Sequence, residues 1–230
     1  MRLVLIASDR REFRGLLSRA LDVRCASPRV RWARAARLQE HTVLLVANGA
    51  GPKQAAMAVD AAAVFRPDAL ASVGFCGAVA PELAAADLLV ASQVVGEDAV
   101  YLAQPVSSRT PHKLGVVRTL DHIAESSREK AYWYKSGAAA VDMEASAVAR
   151  NAQAHRLPFY CIKVVTDLAG ETLENDLNSA LRADGHFDTI KVLGSTLRRP
   201  LVRVPELIRL RSRSARAAQV LGDFLADCRF

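Results

Sequence analysis

The chain has 230 residues, of which 51% are hydrophobic and 24% charged, and its formal net charge at pH 7 is +7. This length suits one domain, and this balance of apolar and charged residues excludes a disordered chain. A membrane-spanning helix is not expected, because Pro81, Glu82 and Asp87 interrupt the longest apolar region, residues 69–95. Such a helix needs roughly 18 uninterrupted apolar residues.

The first half of the chain alternates between strand patterns and helix patterns. Short apolar runs predict strands at residues 3–7, near 30–32, and at 42–47, 69–73 and 88–95. Helical spacing of apolar residues follows the first strand at Leu16 and Leu17, and an alanine-rich helix is predicted at 54–65, opened by Pro52. Residues 22–40 are otherwise ambiguous.

The second half continues the alternation. A loop-like stretch leads to a short strand at 116–118 and a helix at 128–136. The D-M-E triplet at 142–144 then opens a helix rich in small residues, which stops before Leu157-Pro158. Another strand, 159–165, ends at Thr166-Asp167, and the last predicted helices lie at 186–197 and 205–226.

This alternation predicts an α/β fold of three layers, α/β/α, in which helices flank a mixed central sheet. In such sheets ligands bind beyond the carboxyl ends of the strands. The chain places glycines, carboxylates and hydroxyls at several of these ends, namely residues 8–12, 48–51, 74–78, 142–144 and 166–167. The sequence therefore predicts a site at this edge of the sheet.

Several other classes of function lack support. The four cysteines are far apart and form no Cys-x-x-Cys pair, so we expect reduced thiols in a cytoplasmic protein. The five histidines show no metal-ligand spacing, and no Gly-x-Ser-x-Gly motif is present, so we expect neither a metal nor a serine nucleophile. Nucleic-acid binding is not predicted either, because the aromatic residues do not accompany the basic cluster at 198–216.

The glycines and carboxylates at the strand ends each admit two interpretations. The glycines at 48–53 and 74–78 could let backbone amides approach a ligand, or could serve only tight turns. Asp142 and Glu144 could complement a helix dipole, and Asp167 could bond its own backbone in a turn. As ligand-binding groups, Glu144 could accept two hydrogen bonds from a ribose diol, and Asp167 could hold a proton for a leaving base.

Three segments, in the same order along the chain, resemble the nucleoside phosphorylase and nucleosidase superfamily. V-D-M-E-A-S-A-V-A at 141–149 resembles that family's V-E-M-E-x-x-A-x-A, and V-V-T-D-L-A at 164–169 resembles its S-D-x-A segment. S-V-G-F-C-G-A-V at 72–79 resembles its glycine-rich turn. The resemblance extends over residues 1–170. It implies one domain over 1–230, a homo-oligomer, and no cofactor, with inorganic phosphate as the candidate co-substrate.

Carried over by position, the resemblance gives the site residues separate roles. Met143 would pack on the ribose, and Glu144 would hold its hydroxyls. Asp167 would protonate or hydrogen-bond N7 of a departing purine, and Glu12 would orient an attacking water. The remaining substrate-binding residues implied in this way are Phe75, Cys76, Gly77, Asp142 and Thr166.

The sequence also departs from the family pattern. Asp142 replaces the usual glutamate, and Phe75 replaces a serine or threonine that touches phosphate or water in many members. No arginine lies beside that turn to bind phosphate, and residues 96–115 form a shorter segment than in the nucleosidases. We therefore expect cleavage of the N-ribosyl bond of a purine nucleoside or 5′-substituted adenosine, by phosphate or by water. A non-catalytic, regulatory nucleoside-binding protein is the alternative.

The glycines before Pro52 and the basic tail from Arg198 also resemble the hopanoid-associated phosphorylases, which act on an adenosine-capped lipid. This motivates the hypothesis that Arg209, Arg211, Arg213 and Arg216 bring the C-terminal helix onto an anionic membrane surface. The simpler interpretation is a helix that packs on the core and exposes a solvated basic face.

Overall fold

One ten-stranded sheet organises the computed structural model, which describes residues 1–197 and 199–230. The strands are β1 (Arg2–Ala7), β2 (Leu21–Cys25), β3 (Trp32–Leu38), β4 (His41–Ala47), β5 (Ala69–Ala78), β6 (Leu88–Val95), β7 (Val100–Leu102), β8 (Lys113–Thr119), β9 (Ala140–Asp142) and β10 (Phe159–Asp167). The helices are α1 (Arg14–Leu17), α2 (Pro52–Ala62), α3 (Ser127–Lys135), α4 (Ala145–Ala154), α5 (Leu177–Ala180), α6 (Thr189–Leu197) and α7 (Pro200–Asp227).

The sheet is mixed, as predicted. β1 lies at its centre and pairs in parallel with β4 and β5, and β5 pairs in parallel with β10. β10 also pairs antiparallel with β6, and β6 continues through β8 and β9 back to β5. These pairings close one side of the sheet into a barrel-like ring, with β4, β3 and β2 extending from β1 on the other side.

Helices cover both faces of the sheet, which confirms the three-layer prediction. On one face α2 and α4 contribute Ala58 and Val148 to a core that includes Ile6. On the other face α1 and α7 contribute Leu16 and Phe224 to a separate core. In both helical layers, alanine, valine and leucine recur at helical spacing and are buried against the sheet. Burial of these apolar helix faces holds the helices on the sheet.

β5 extends further than predicted. The sequence predicts a strand at 69–73 followed by a glycine turn, whereas the strand runs on to Ala78. Its glycine-containing half pairs with β10, Lys163 opposite Gly74 and Asp167 opposite Gly77, and then with β9. This pairing keeps the segment extended despite two glycines, which local propensity alone disfavours in a strand.

The ends of the chain differ most from prediction. The ambiguous residues 22–40 form a hairpin of β2 and β3, and the last helix begins at Pro200 with Pro205 inside it. Pro205 has no backbone N–H, so the carbonyl of Leu201, four residues earlier, loses its helical hydrogen bond. Leu201 is 92% exposed. Water can therefore replace the lost bond. Arg198, the first residue of the predicted basic tail, lies outside the described residues.

The C-terminal half of α7 packs on the core through Leu221, Phe224 and Leu225, in agreement with the simpler interpretation of this helix. Arg213 is also engaged, since it donates hydrogen bonds of 2.7 and 2.9 Å to Glu171. Within the described ranges, none of the helices combines the length and apolar character needed to cross a membrane. Membrane-surface binding stays a hypothesis.

Candidate active site

The carboxyl ends of the central strands meet at a cavity of about 300 Å³. The residues that line it include all those predicted for the site, namely Glu12, Phe75, Cys76, Gly77, Asp142, Met143, Glu144, Thr166 and Asp167. A larger cavity of about 430 Å³ lies elsewhere, between Gln39, Ser108 and Asp227. Its lining holds none of the predicted groups, so the chemistry points to the smaller cavity.

Glu12 is almost completely buried and is held by uncharged donors. Its Oε2 accepts hydrogen bonds from the backbone amides of Ser8 and Asp9, both at 2.9 Å, and from the Ser8 hydroxyl at 3.1 Å. Its Oε1 accepts one from the Phe75 amide at 2.8 Å. Burial raises the pKa of Glu12 despite these hydrogen bonds and the positive charge of Lys163. A fixed carboxylate with a raised pKa is suited to accept a proton.

Two glycines of β5 make room for two carboxylates. A Cβ atom on Gly74 would lie 2.6 Å from Oε1 of Glu12, and one on Gly77 would lie 2.8 Å from Oδ2 of Asp167. Gly74 also has a φ of +129°, which L side chains rarely adopt. The glycines at 74–78 therefore make room for side chains of the site. The two roles predicted from the sequence are approach of backbone amides to a ligand and a tight turn, and this role differs from both.

Glu144 stands at the start of α4 and is also buried. The amide of Gly51, a residue with a φ of +102°, donates a hydrogen bond of 2.9 Å to its Oε1. Its Oε2 accepts no hydrogen bond from residues 1–197 or 199–230, which leaves that oxygen for a ligand. Burial and the nearby charge of Asp142 raise the pKa of Glu144 to about 7. The N-G-A-G-P segment thus anchors this carboxylate through its backbone.

Asp142 is occupied by protein donors. Its Oδ2 lies 2.7 Å from Nζ of Lys163 and accepts from the Ala145 amide at 2.9 Å, while Thr119 donates to its Oδ1 at 2.7 Å. Burial alone would lower the pKa of Lys163, but the charge of Asp142 raises it above its usual value. Asp142 therefore accepts from the amides at the start of α4 and neutralises a buried lysine, so its geometry fits support of Glu144 better than direct contact with a ligand.

Asp167 is held by a second buried lysine. Nζ of Lys130, a fully buried residue of α3, lies 2.6 Å from Oδ2 of Asp167 and also donates to the Leu168 carbonyl at 2.9 Å. The Thr166 hydroxyl lies 3.2 Å from Oδ1 of Asp167. The Asp167 side chain keeps 15% of its surface exposed, on the cavity side. It can therefore contact a ligand that the lysine cannot reach.

The cavity lining is rich in carboxylates and poor in cations. Among the described lining residues there is no lysine or arginine, and the one basic side chain is His122. Its ring nitrogens lie 2.6 Å from Asp121 and 2.7 Å from Glu129, and the hydrogen bond to Asp121 is the main reason that its pKa is raised. Burial raises the pKa of the Cys76 thiol well above its usual value, so a Cys76 thiolate nucleophile is disfavoured.

The outer wall of the cavity was not singled out by the sequence. It consists mainly of apolar side chains from the segments around α5 and α7, namely Leu173, Leu177, Phe187 and Leu210. These residues come from parts of the chain without a recognisable motif. In the part of the chain that the structure describes, no cluster of three histidine, cysteine or acidic residues is arranged to hold a metal ion.

Comparison with known proteins gives consistent results for the fold. The sequence model of the phosphorylase superfamily matches residues 2–114 and 102–189. An S-adenosylhomocysteine nucleosidase from Streptococcus pyogenes, solved with 5-methylthiotubericidin, superposes with a TM-score of 0.69 at 21% identity, over 97% of each chain. The 5′-methylthioadenosine/S-adenosylhomocysteine nucleosidase of Campylobacter jejuni gives 0.73 at 17% identity, over 98% of this chain and 97% of that one.

The futalosine hydrolase of Helicobacter pylori also gives a TM-score of 0.73, at 16% identity, over 98% of this chain and 95% of that one. The search of curated protein sequences returns no match. At these identities the structural likeness establishes the fold, and the superfamily match, which extends over most of the chain, establishes the family.

Proposed function

Because the chain belongs to the phosphorylase superfamily, we propose that it hydrolyses the N-ribosyl bond of a purine nucleoside and releases the free base. The observation that carries this proposal is the pair of carboxylates beside the glycines of β5. Glu12, held by uncharged donors, lies at Gly74, and Asp167, paired with Lys130, lies at Gly77. Glu12 is placed to accept a proton from the attacking water, and Asp167 is placed to hydrogen-bond N7 of the leaving base, so the two carboxylates have separate roles in glycosidic cleavage.

Each site residue has a role in this reaction. Glu144 binds the ribose hydroxyls through its free Oε2, and Met143 packs on the sugar. Asp167 faces N7 of the purine. Glu12 takes a proton from the attacking water through Oε1. Among the described donors, only the Phe75 amide makes a hydrogen bond to this oxygen. Asp142 acts as a positioning residue for Glu144, because its carboxylate accepts from the amides of Glu144 and Ala145.

Water fits this cavity better than phosphate as the nucleophile. A phosphate dianion would meet Glu12, Asp142, Glu144 and Asp167 with no lysine or arginine in the described lining to neutralise it. Lys130 and Lys163 are buried and already paired with carboxylates at 2.6 and 2.7 Å. The absence of an arginine beside the β5 glycines, noted in the sequence, has the same consequence. The similar solved structures are also named as nucleosidases and a hydrolase.

The apolar outer wall favours an apolar 5′ substituent. Leu173, Leu177, Phe187 and Leu210 line this side of the cavity, and a 5′ hydroxyl buried against them would lose its hydrogen bonds to water. Methylthioadenosine should therefore react with a higher kcat/KM than adenosine.

The test is an assay of base release from adenosine, methylthioadenosine and inosine, each with and without phosphate. We expect base release without phosphate and no acceleration when phosphate is added. Tight binding of all three nucleosides without release of base would instead favour the alternative, a nucleoside-binding protein on this scaffold.

A further inference from the structure

Lys130 is a buried cation that the reaction as described so far does not use. Its side chain has no exposed surface, although the residue lies on α3, whose other members are largely exposed. Burying a lysine is costly unless its charge is paired, and here Asp167 provides the pairing at 2.6 Å. The fold therefore buries this lysine beside the carboxylate that, in the proposed reaction, faces the leaving base.

The surroundings of Lys130 fix it rather firmly against Asp167. The Ser126 hydroxyl caps α3 by accepting from the Glu129 amide at 3.1 Å. The Leu173 amide donates to the Glu125 carbonyl at 2.7 Å, and the Ser127 amide donates to the Thr172 hydroxyl at 3.1 Å. The start of α3 is thus tied to the segment that follows Asp167. This arrangement delivers the ammonium to one oxygen of one carboxylate.

The other polar groups in this part of the cavity are less well placed to give a proton to Asp167, and no hydrogen bond joins His122 to Asp167 among the described residues. The Thr166 hydroxyl, at 3.2 Å from Oδ1, is a hydrogen-bond donor that does not ionise in the physiological range. His122 has both ring nitrogens engaged, with Asp121 and Glu129. Among the described neighbours of Asp167, the Lys130 ammonium is the charged donor within hydrogen-bond distance of its carboxylate.

We propose that Lys130 is the proton reservoir for release of the base, acting through Asp167. As the N-ribosyl bond breaks, its electron pair passes to N9 of the purine. Oδ2 of Asp167 receives a proton from Nζ of Lys130 and passes it to N7, so that the base leaves as a neutral purine. Lys130 is left as a neutral amine and Glu12 holds the proton from the attacking water. Lys130 is reprotonated through Asp167, whose side chain is 15% exposed, and Glu12 returns its proton to water in the cavity. Lys130 touches Asp167 and not the substrate, so it is a positioning residue with a proton-supplying role.

This inference rests on the proposed function. Comparing two substrates, one whose leaving group needs a proton and one whose leaving group does not, tests the role of Lys130 separately from the proposed function. The wild type, Lys130→Met and Lys130→Arg are assayed on the nucleoside that the wild type cleaves fastest and on p-nitrophenyl riboside. The nitrophenolate departs without being protonated, whereas the purine needs its proton. Arginine keeps the positive charge but does not release a proton near neutral pH. Lys135→Met, an exposed change on the same helix, is the matched control.

We expect both Lys130 variants to lose roughly 10²-fold or more in kcat on the nucleoside, the usual size of a general-acid contribution. Their kcat on p-nitrophenyl riboside should stay within about threefold of the wild type, and Lys135→Met should behave as wild type on both substrates. If Lys130→Met does not fold, Lys130→Arg gives the same comparison.

Equal losses on the two substrates would mean that Lys130 is only structural, and wild-type nucleoside turnover by Lys130→Arg would mean that it supplies only charge. Either result overturns the inference. A wild type that releases no base from any nucleoside contradicts the proposed function itself, and the inference with it.

Discussion

Glu12 and Asp167 lie beside two glycines of the same strand, yet their donors differ in charge. Four uncharged donors, from Ser8, Asp9 and Phe75, surround the Glu12 carboxylate. Asp167 instead has a buried ammonium at 2.6 Å. In the proposed reaction Glu12 takes up a proton from water and Asp167 passes one to the base, although both side chains are carboxylates.

The largest expected effect comes from the Asp167 side of this comparison. Asp167→Asn removes the group that passes the proton to the base, so kcat for base release should fall by roughly 10²–10⁴-fold. Nucleoside binding should change by no more than a few-fold, because Glu144 and Met143 hold the sugar. Steady-state assays of base release measure kcat, and equilibrium titration with the nucleoside measures its binding. Near-normal turnover in this variant would remove Asp167 from its proposed role.

Glu12→Gln probes the other side and should combine a kinetic effect with a structural one. Loss of the base that activates water should lower kcat by roughly 10²-fold or more. The amide of glutamine would also point a donor at one or more of the protein donors around Glu12, which should lower the free energy of unfolding by about 1–3 kcal/mol. Urea denaturation measures the second effect, with Glu40→Gln, an exposed site, as control. Unchanged kcat would show that Glu12 is only structural.

The raised pKa of Glu144 predicts a pH dependence of kcat/KM. Glu144 must be ionised to accept two ribose hydroxyls, and its pKa is raised to about 7, so kcat/KM should increase as the pH rises through 7. Glu144→Gln should have a kcat/KM roughly 10-fold or more below wild type and lack this increase. An increase of the same size in the variant would assign the titration to another group.

The same group affects stability in the opposite direction. The pKa of Glu144 is raised from 4.5 to about 7 in the folded protein, so between these values the folded state holds a proton that the unfolded chain has released. The contribution of Glu144 to the free energy of unfolding should therefore decrease as the pH rises from 4.5 to 7 and level off above. Urea denaturation of the wild type should show a steeper decrease over this window than denaturation of Glu144→Gln. Parallel curves would contradict the assigned shift.

The smallest expected effect concerns the segment that follows Asp167. Glu171 accepts from the Leu168 amide at 2.9 Å and pairs with Arg213 at 2.7 Å, which joins this segment to α7. The pair is partly exposed, so Arg213→Gln should lower the free energy of unfolding by no more than about 1 kcal/mol. KM should rise a few-fold with kcat kept, and Arg211→Gln, an exposed neighbour, should match wild type. A large decrease in kcat would show that α7 affects proton transfer and not only the cavity wall.

The half of the site built on strand ends could be predicted from the sequence because its residues adjoin strongly apolar runs. The D-M-E triplet and Thr166-Asp167 each lie at or just after the end of a strand, and parallel strands bring such ends to one edge. The fold class followed from the same alternation of strands and helices. The extension of β5 to Ala78 did not, because it depends on pairing with β9 and β10, which are distant in sequence.

The two buried lysines illustrate what local patterns can and cannot show. Lys163 interrupts an otherwise apolar strand, and that position is itself a signal of a buried ion pair. Lys130 lies in a polar helix, 37 residues from the carboxylate it pairs with, and gives no comparable signal. The apolar wall from Leu177 and Leu210 was likewise not predictable, since these residues reach the cavity only through tertiary packing.

In the proposed reaction water, and not phosphate, attacks the ribosyl group. The most direct measurement is ³¹P NMR of the reaction in phosphate buffer, with base release followed in parallel and repeated in a phosphate-free buffer. We predict base release at the same rate in both buffers and inorganic phosphate as the only phosphorus signal throughout. Appearance of a ribose 1-phosphate signal, or base release that requires phosphate, would contradict attack by water.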